Sequence, residues 1–451
     1  MDYSKPIGTP YISHSKDKIA LYRILMKNTS YFKNKKIVIV GLARSGLACA
    51  NLLYDIGADV SATDNQDTDV TRSNAAKLKS KEIKIELGKH SQEFIRDKDL
   101  AVVSPGVPND AMPVIWAKKF NIPVISELEL AWILCPATVI AVTGSNGKTT
   151  VTTLIGKMLE AGGHKVFVCG NIGNPFSGEV EKMGEDDFVS LEVSSFQLER
   201  IIRFKPKISV MLNFTTNHLD RYKNMQEYLE AKKRIFQNQD NTDYLVLNYQ
   251  DPALRELAKE TNARVLYFSE EEELNPNEAA VLSVGSILGI GRELVLSIFR
   301  EFKGIQHRLE YVAEINNIKF INDSKATTAD STVWALKNIH SPIVLIAGGK
   351  DKGVDYSVIL DLARKSVREV VLIGEAKGRI RDAFKGLLTI EEADTLEDAV
   401  SKAFFKARPG DCVVLSPMCS SFDMFTNYEE RGERFKEAVH ALCKTKVSYG
   451  S

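Results

Sequence analysis

The chain has 451 residues, more than one hydrophobic core accommodates, and that length predicts about three domains. Its 59 lysines and arginines balance 59 aspartates and glutamates, so composition points neither to a global basic field for nucleic acid nor to an acidic solvating tail. The six cysteines are scattered without a CxxC pair or a zinc spacing. With no signal-like apolar N-terminus and no uninterrupted run of about 18 apolar residues, the expectation is a cytoplasmic chain with reduced thiols and no membrane insertion.

Residues 1–34 are polar, with a weak helical pattern around Ile19 to Met26, and form an N-terminal extension of unassigned role. From Lys35 the pattern predicts a strand (Ile37 to Val40), a turn (Gly41 to Gly46), a helix (Leu47 to Ile56) and a strand (Asp59 to Thr63) ending at Asp64. This is a βαβ unit with GxAxxG in its first turn. Ala43 replaces the glycine that lets a backbone approach a pyrophosphate, which leaves a nucleotide-sugar site or a vestigial one as alternatives to a full dinucleotide site. Further strands end at Val102 to Gly106 and at Ile122 to Ile125, and Pro136 marks the boundary of a first domain over 35–135.

The second domain, 136–302, opens with AVTGSNGKTT at 141–150. Ala141 to Thr143 read as the end of a buried strand, Gly144, Ser145, Asn146 and Gly147 as a turn of bare backbone amides, and Thr149 onward as a helix start. Unpaired amides and the positive end of a helix dipole then converge on one point, an anion cradle. Lys148 adds a charge for β/γ-phosphates, and Thr149 a hydroxyl for Mg²⁺. The common P-loop spacing needs a glycine at 142, where this chain has Val142, so a shorter pattern containing Asn146 is at work. Downstream, Glu192 ends an apolar strand (Phe188 to Leu191), where a phosphate-loop fold places its metal-binding acid. His218, in a polar loop after the strand Ile208 to Leu212, reads by itself as a surface histidine. Lys232, on a helix from Tyr228 to Phe236, reads as a solvated lysine.

The third domain, 303–451, begins after a hinge-like segment, Phe302 to Gln306. Its strands are predicted at Lys319 to Asn322, Ile343 to Ala347, Glu369 to Ile373 and Cys412 to Leu415. Three polar clusters follow strand ends, at Asn322 to Thr327, Gly348 to Gly353 and Ser416 to Asp423. Parallel sheets bind ligands at such ends, and the amides and hydroxyls here suit a small carboxylate. All three domains read as α/β.

Nine segments occur in one family's order: TGSNGKTT at 143–150, GNIG at 170–173, LEVSSFQLE at 191–199, NHLDRY at 217–222, AKKRIF at 231–236, HRLE at 307–310, NDSKAT at 322–327, GGKDKG at 348–353 and LSPMCSSFDMFTNYEERG at 415–432. Together they resemble the Mur ligases. The last segment, with VSPGVP at 103–108, resembles the D-glutamate-adding member more than its siblings. The resemblance implies a Rossmann-like N-terminal domain for a UDP-sugar, a P-loop-type central ATPase domain and a Rossmann-like C-terminal domain for the amino acid. It implies UDP-substrate contacts at Arg44, Ser45, Asp64, Asn65, Gln66, Ser104, Asn171 and His218. For ATP it implies the loop Gly144 to Thr150, with Lys148 on the phosphates, together with Asn275, Arg308, Asp323 and Lys325. Two Mg²⁺ ions are implied, one at Thr149 and Glu192, the other at His218 and a carbamylated Lys232. D-glutamate is expected among Thr327, Lys352, Ser421, Phe422 and Tyr428.

The implied reaction is ATP-dependent ligation of D-glutamate to UDP-N-acetylmuramoyl-L-alanine through an acyl phosphate, by a monomer. ATP and amino-acid loops on different domains would require closure before chemistry. One departure stands out near 268–282: the family's His-Asn-x-x-Asn segment is replaced by Leu274-Asn275-Pro276-Asn277-Glu278, in a stretch that looks shortened. Asn275 is expected to keep the first asparagine's role.

Overall fold

The computed structural model describes residues 29–215, 221–269, 274–302, 304–351, 353 and 355–447. The chain forms two compact units, one up to Glu301 and one from Phe302 onward. The first unit holds two sheets and the second unit one, so the three predicted α/β layers are all present. Residues 1–28 of the extension, the loop with His218, the four-glutamate run and Lys352 fall outside the described residues.

In the first sheet, β1 (Lys36–Val40), β2 (Asp59–Asp64), β3 (Lys84–Leu87), β4 (Leu100–Val103) and β5 (Val124–Ser126) lie in the order β3-β2-β1-β4-β5. All neighbours are parallel. The order reverses at β1, and the crevice beyond a reversal is where such sheets take ligands. The helix after β1 runs Arg44–Asp55, three residues earlier than its apolar pattern suggests, because Ala43 supplies an extended cap residue without a side-chain bond. Gly46 on this helix is indispensable to the packing, since a Cβ there would sit 1.9 Å from the Gly41 carbonyl oxygen.

The second sheet, also fully parallel, contains β6 (Thr138–Thr143), β7 (Val166–Gly170), β8 (Phe188–Glu192), β9 (Ile208–Met211), β10 (Tyr244–Asn248) and β11 (Arg264–Phe268). Their order is β11-β10-β9-β6-β8-β7, which puts β6 between β8 and β9. A continuous core of Val139, Ala141, Leu191, Val193, Met211 and Leu245 lies beneath it. Two buried carboxylates stitch the first unit together. Glu129 accepts the backbone N–H groups of Ile202, Arg203 and Phe204, and Glu127 accepts that of Ser177.

The third sheet orders β12 (Glu310–Ile315), β13 (Ile318–Asn322), β14 (Ile343–Gly348), β15 (Val367–Ile373), β16 (Thr389–Glu392) and β17 (Cys412–Leu415) as β12-β13-β17-β14-β15-β16. Strand β12 pairs antiparallel with β13. Sequence reading passed over β12, although Asn316 and Asn317, both at positive φ (55° and 61°), make the two-residue turn that joins tight hairpins. The adjacency of β13, β17 and β14 decides the site, because it brings the ends of all three polar loops side by side. The five described free cysteines are buried, and no helix among the described residues is long and apolar enough to cross a membrane.

Candidate active site

The loop after β6 closes tightly onto its neighbours. Gly147 caps the helix Lys148–Ala161 at φ 81° with no side-chain cap bond, so no capping side chain competes with an anion at this helix N-terminus. The turn is less bare than its sequence suggests. Ser145 N–H donates to the Asn213 carbonyl (3.1 Å) and Asn146 N–H to Asn213 Oδ1 (2.8 Å). Ser145 is buried, and its hydroxyl donates to the Thr215 carbonyl (3.1 Å). Ser145 therefore shapes the loop.

Two lysines meet on one carbonyl. Lys148 Nζ donates to the oxygens of Gly144 (3.0 Å) and Ser145 (2.9 Å), and Lys232 Nζ to the same Gly144 oxygen (2.8 Å). The reading of Lys232 as a solvated residue is wrong: its exposure is 2%, and its ammonium lies 4.7 Å from the ring centre of buried Tyr228. It sits on the helix Met225–Lys233, which tightens into a 3₁₀ turn over Arg234–Phe236. Burial, and secondarily the charge of Lys148, pull the Lys232 ammonium well below its ordinary pKa, favouring the neutral, nucleophilic amine.

Glu192 is the last residue of β8 and pairs in register with Val142 of β6, one position before Thr143. It is 2% exposed. Asn171 Nδ2 donates to Oε1 (2.7 Å), and Oε2 is buried with no hydrogen-bond partner among the described residues. A buried carboxylate oxygen without a donor calls for a further partner, and a cation is the natural one. Thr149 is also buried, while Thr150 is half-buried. No group of three or more His, Cys, Asp or Glu side chains that could cage a metal occurs among the described residues. This arrangement fits Mg²⁺, which uses one or two protein carboxylates and completes its shell with waters and phosphates. Asn171, expected to place substrate, is seen to orient Glu192.

The departure near 274–278 has a clear outcome. Asn275 caps the helix Pro276–Ile287, its Oδ1 accepting the N–H groups of Asn277 (3.0 Å) and Glu278 (3.2 Å), while Glu278 accepts the Asn275 N–H (3.0 Å). Glu278 thus completes a capping box. The residue that reaches the phosphate loop is Asn277, whose Oδ1 lies 2.4 Å from where a Gly147 Cβ would be. Sequence reading missed it because Asn277 falls between the two positions being matched.

In the first sheet, Arg44, Asn65 and Gln66 are exposed and Ser45 half-buried at the crevice. Asp64 and Ser104 face inward. Asp64 accepts the Leu42 N–H (2.7 Å) and the Gln66 N–H (2.9 Å), and Ser104 donates to the Gly41 carbonyl (2.8 Å). Both hold the glycine turn in shape.

In the second unit, Lys325 N–H donates to the His307 carbonyl (2.9 Å), so Arg308, Asp323 and Lys325 come from adjoining segments. Arg308 Nε is buried without a hydrogen-bond partner among the described residues. Buried Asp323 accepts Ser416 Oγ (2.8 Å) and the Leu309 N–H (3.2 Å). Burial lifts its carboxyl to about 7 against these bonds and the charge of Arg308. Among the expected amino-acid contacts, Thr327 and Tyr428 are half-buried, Ser421 is buried and Phe422 is 66% exposed. Ser324 Oγ donates to the Tyr428 carbonyl (2.8 Å). Sequence reading placed Asn322 and Asp423 in its polar clusters without giving either a role, and it missed Arg431, which lies fully buried beneath these loops.

Comparison with known proteins accounts for most of the chain. Residues 35–126 match the MurD-like N-terminal domain of Mur ligases, 142–287 the Mur ligase middle domain and 307–419 the Mur ligase glutamate ligase domain. A UDP-N-acetylmuramoylalanine--D-glutamate ligase from Geotalea uraniireducens is 43% identical, covering 91% of this chain and 98% of its own length. One of the same name from a Thermoanaerobacter species is 40% identical, with 91% and 99% covered. Its aligned span of 449 positions exceeds the 91% of this 451-residue chain that it covers, so this chain runs shorter within the matched region. In fold, the chain is similar to the UDP-N-acetylmuramate-alanine ligase MurC of Thermotoga maritima (TM-score 0.57, 20% identity, 90% and 99% covered). It is also similar to MurF of Acinetobacter baumannii (TM-score 0.55, 16% identity, 89% and 93% covered).

Proposed function

The chain belongs to the Mur ligase family, and from that premise we propose that it joins D-glutamate to UDP-N-acetylmuramoyl-L-alanine at the expense of ATP, in the cytoplasm and as a monomer. The observation that carries this reading is the near-full-length identity of 40–43% to relatives of that one name.

The reaction must unite a carboxylate with an amino acid, which demands both a better leaving group and relief of charge repulsion. The terminal phosphoryl group of ATP passes to an oxygen of the alanyl carboxylate, ADP departs, and a mixed anhydride results. The amine of D-glutamate then attacks the carbonyl carbon, phosphate leaves, and the amine loses its proton. Lys148, released from the Gly144 and Ser145 carbonyls, offsets charge on the β/γ-phosphates, and the first-turn amides of the helix Lys148–Ala161 orient them. Arg308, Asp323 and Lys325 belong to the nucleotide, with Asn275 and the adjacent Asn277. Arg44, Ser45, Asp64, Asn65, Gln66 and Ser104 frame the UDP group. Thr327, Lys352, Ser421, Phe422 and Tyr428 receive D-glutamate.

Thr149 and Glu192 would hold one Mg²⁺, and His218 with a carbamylated Lys232 a second; such ions neutralise charge on the transferring phosphoryl group. The buried environment of Lys232 supports this modification: the neutral amine adds to carbon dioxide, loses a proton and becomes an anion. The domain limits follow as 35–135, 136–302 and 303–451.

Phosphate release tests the reading. With ATP and UDP-N-acetylmuramoyl-L-alanine present, D-glutamate should support turnover while L-glutamate and L-alanine do not. Equal turnover with L-alanine would reassign the substrate.

A further inference from the structure

Among the described residues, Arg431 is the largest side chain with no solvent exposure, and it lies in the helix Tyr428–Val447. Its Nε donates to Ser324 Oγ (3.0 Å) and its Nη2 to the carbonyls of Ser324 (2.8 Å) and Cys419 (3.1 Å). One guanidinium therefore links the loop after β13 to the loop after β17. The third loop touches it as well. A Cβ on Gly349, just beyond β14, would lie 3.1 Å from Arg431 Nη1 and 2.4 Å from the Ser420 carbonyl oxygen. Gly349 is bare so that the turn can rest on the guanidinium.

Two further facts make this arrangement unusual. Among the described residues, Arg431 Nη1 is buried without a hydrogen-bond partner, and so is Asp423 Oδ1; leaving a buried charged group partly unsatisfied is costly. Asp423 Oδ2 accepts the Glu375 N–H (2.9 Å) and sits 2.3 Å from where a Cβ on Gly374 would be, a point itself 2.8 Å from the Gly349 Cα. The glycine turn thus lies close to an acid on one side and a buried cation on the other. The same turn is tied by Gly348 N–H to the Pro417 carbonyl (2.8 Å), Lys350 N–H to the Ser420 carbonyl (2.9 Å) and Ala376 N–H to the Gly349 carbonyl (2.9 Å). A hydrophobic side chain would fill the space without these costs. The fork of a guanidinium sets three loops at fixed spacing.

We propose that Arg431, with Asp423, is a positioning residue for the amino-acid substrate: it fixes the glycine turn leading to Lys352 against the loop carrying Ser421, so that the groups meeting the two carboxylates are arranged before the ligand arrives. The proposal rests on the D-glutamate reading. Preorganisation of this kind acts on affinity for one substrate. A lysine at 431 keeps the charge but loses the fork.

The full-length enzyme carrying Arg431→Lys should show a KM for D-glutamate raised at least about tenfold, with the KM values for ATP and the UDP-substrate within about twofold of wild type. Asp423→Asn, which keeps shape and one acceptor oxygen, should raise the same KM by about threefold or more with little change in melting temperature, and it decides the matter if Arg431→Lys does not fold. A variant that melts earlier but keeps its D-glutamate KM, or one in which all three KM values rise together, overturns the positioning role. Absence of D-glutamate turnover in the wild-type chain instead sinks the substrate reading on which the proposal stands.

Discussion

The phosphate loop proposed for the first unit and the amino-acid loops proposed for the second would solve the same problem, holding anions at the carboxyl ends of parallel strands, by different means. In the first, the chemistry is contiguous: Gly144 to Thr149 supply backbone, cation and hydroxyl in six successive positions, and register alone brings Glu192 alongside. In the second, no short run suffices. Three loops separated by tens of residues are collected by the β13-β17-β14 adjacency and cross-linked by Asp323, Arg431 and the backbone bonds of Gly348 and Lys350. A contiguous site should fail abruptly when one atom of it is removed. A distributed one should fail by degrees.

The largest expected effect tests the contiguous site. Lys148→Ala should lower turnover at least about a thousandfold, roughly 4 kcal/mol of barrier, with the melting temperature preserved because the loop backbone stays. ADP release at saturating substrates measures it, and activity within about threefold of wild type would remove Lys148 from the phosphates. Next comes Lys232→Ala, with a loss of at least about a hundredfold, near 2.7 kcal/mol. If a carbamate is the working group, millimolar acetate should restore part of that activity by offering a carboxylate to the vacated space. Full activity without additive would end the carbamate idea.

What the sequence revealed divides along the same line. The three α/β layers, the phosphate loop and Glu192 were legible because each depends on local pattern: apolar strands, a glycine turn and a helix start. Burial of Lys232 was not legible, since a lysine on a helix with a low apolar content reads as solvated; only packing against Tyr228 and the Gly144 carbonyl reverses that. Arg431 was hidden for the same reason, in a polar stretch, NYEERG, that looks like an exposed helix start. Strand β12 escaped because its residues, EYVAEI, alternate weakly on a sheet edge. Asn277 was overlooked because a matched pattern directed attention to its neighbours. Tertiary contacts between distant segments carry the missing information in each case.

The smallest effect concerns Asp323 and sharpens the account of the distributed site. Burial raises its carboxyl to about 7 in the folded chain, despite the Ser416 and Leu309 bonds and the charge of Arg308, whereas an unfolded aspartate titrates near ~3.9. The folded state therefore binds this proton more tightly than the unfolded state does. Between about pH 4 and pH 7 the unfolded carboxyl is ionised while the folded one still holds its proton, so stability falls as pH rises through that window and is level on either side. Asp323→Asn removes the titration while keeping an acceptor oxygen for one of the two donors. Comparing urea unfolding at pH 5 and pH 8 without nucleotide, the stability of wild type relative to Asp323→Asn should drop by about 1 kcal/mol or more at the higher pH. The ceiling is about 3 kcal/mol, set by the two decades between pH 5 and 7. A difference that does not change with pH would mean that water or the Arg308 guanidinium already meets the carboxylate, and that the loops of the second unit are less tightly sealed than their hydrogen bonds imply.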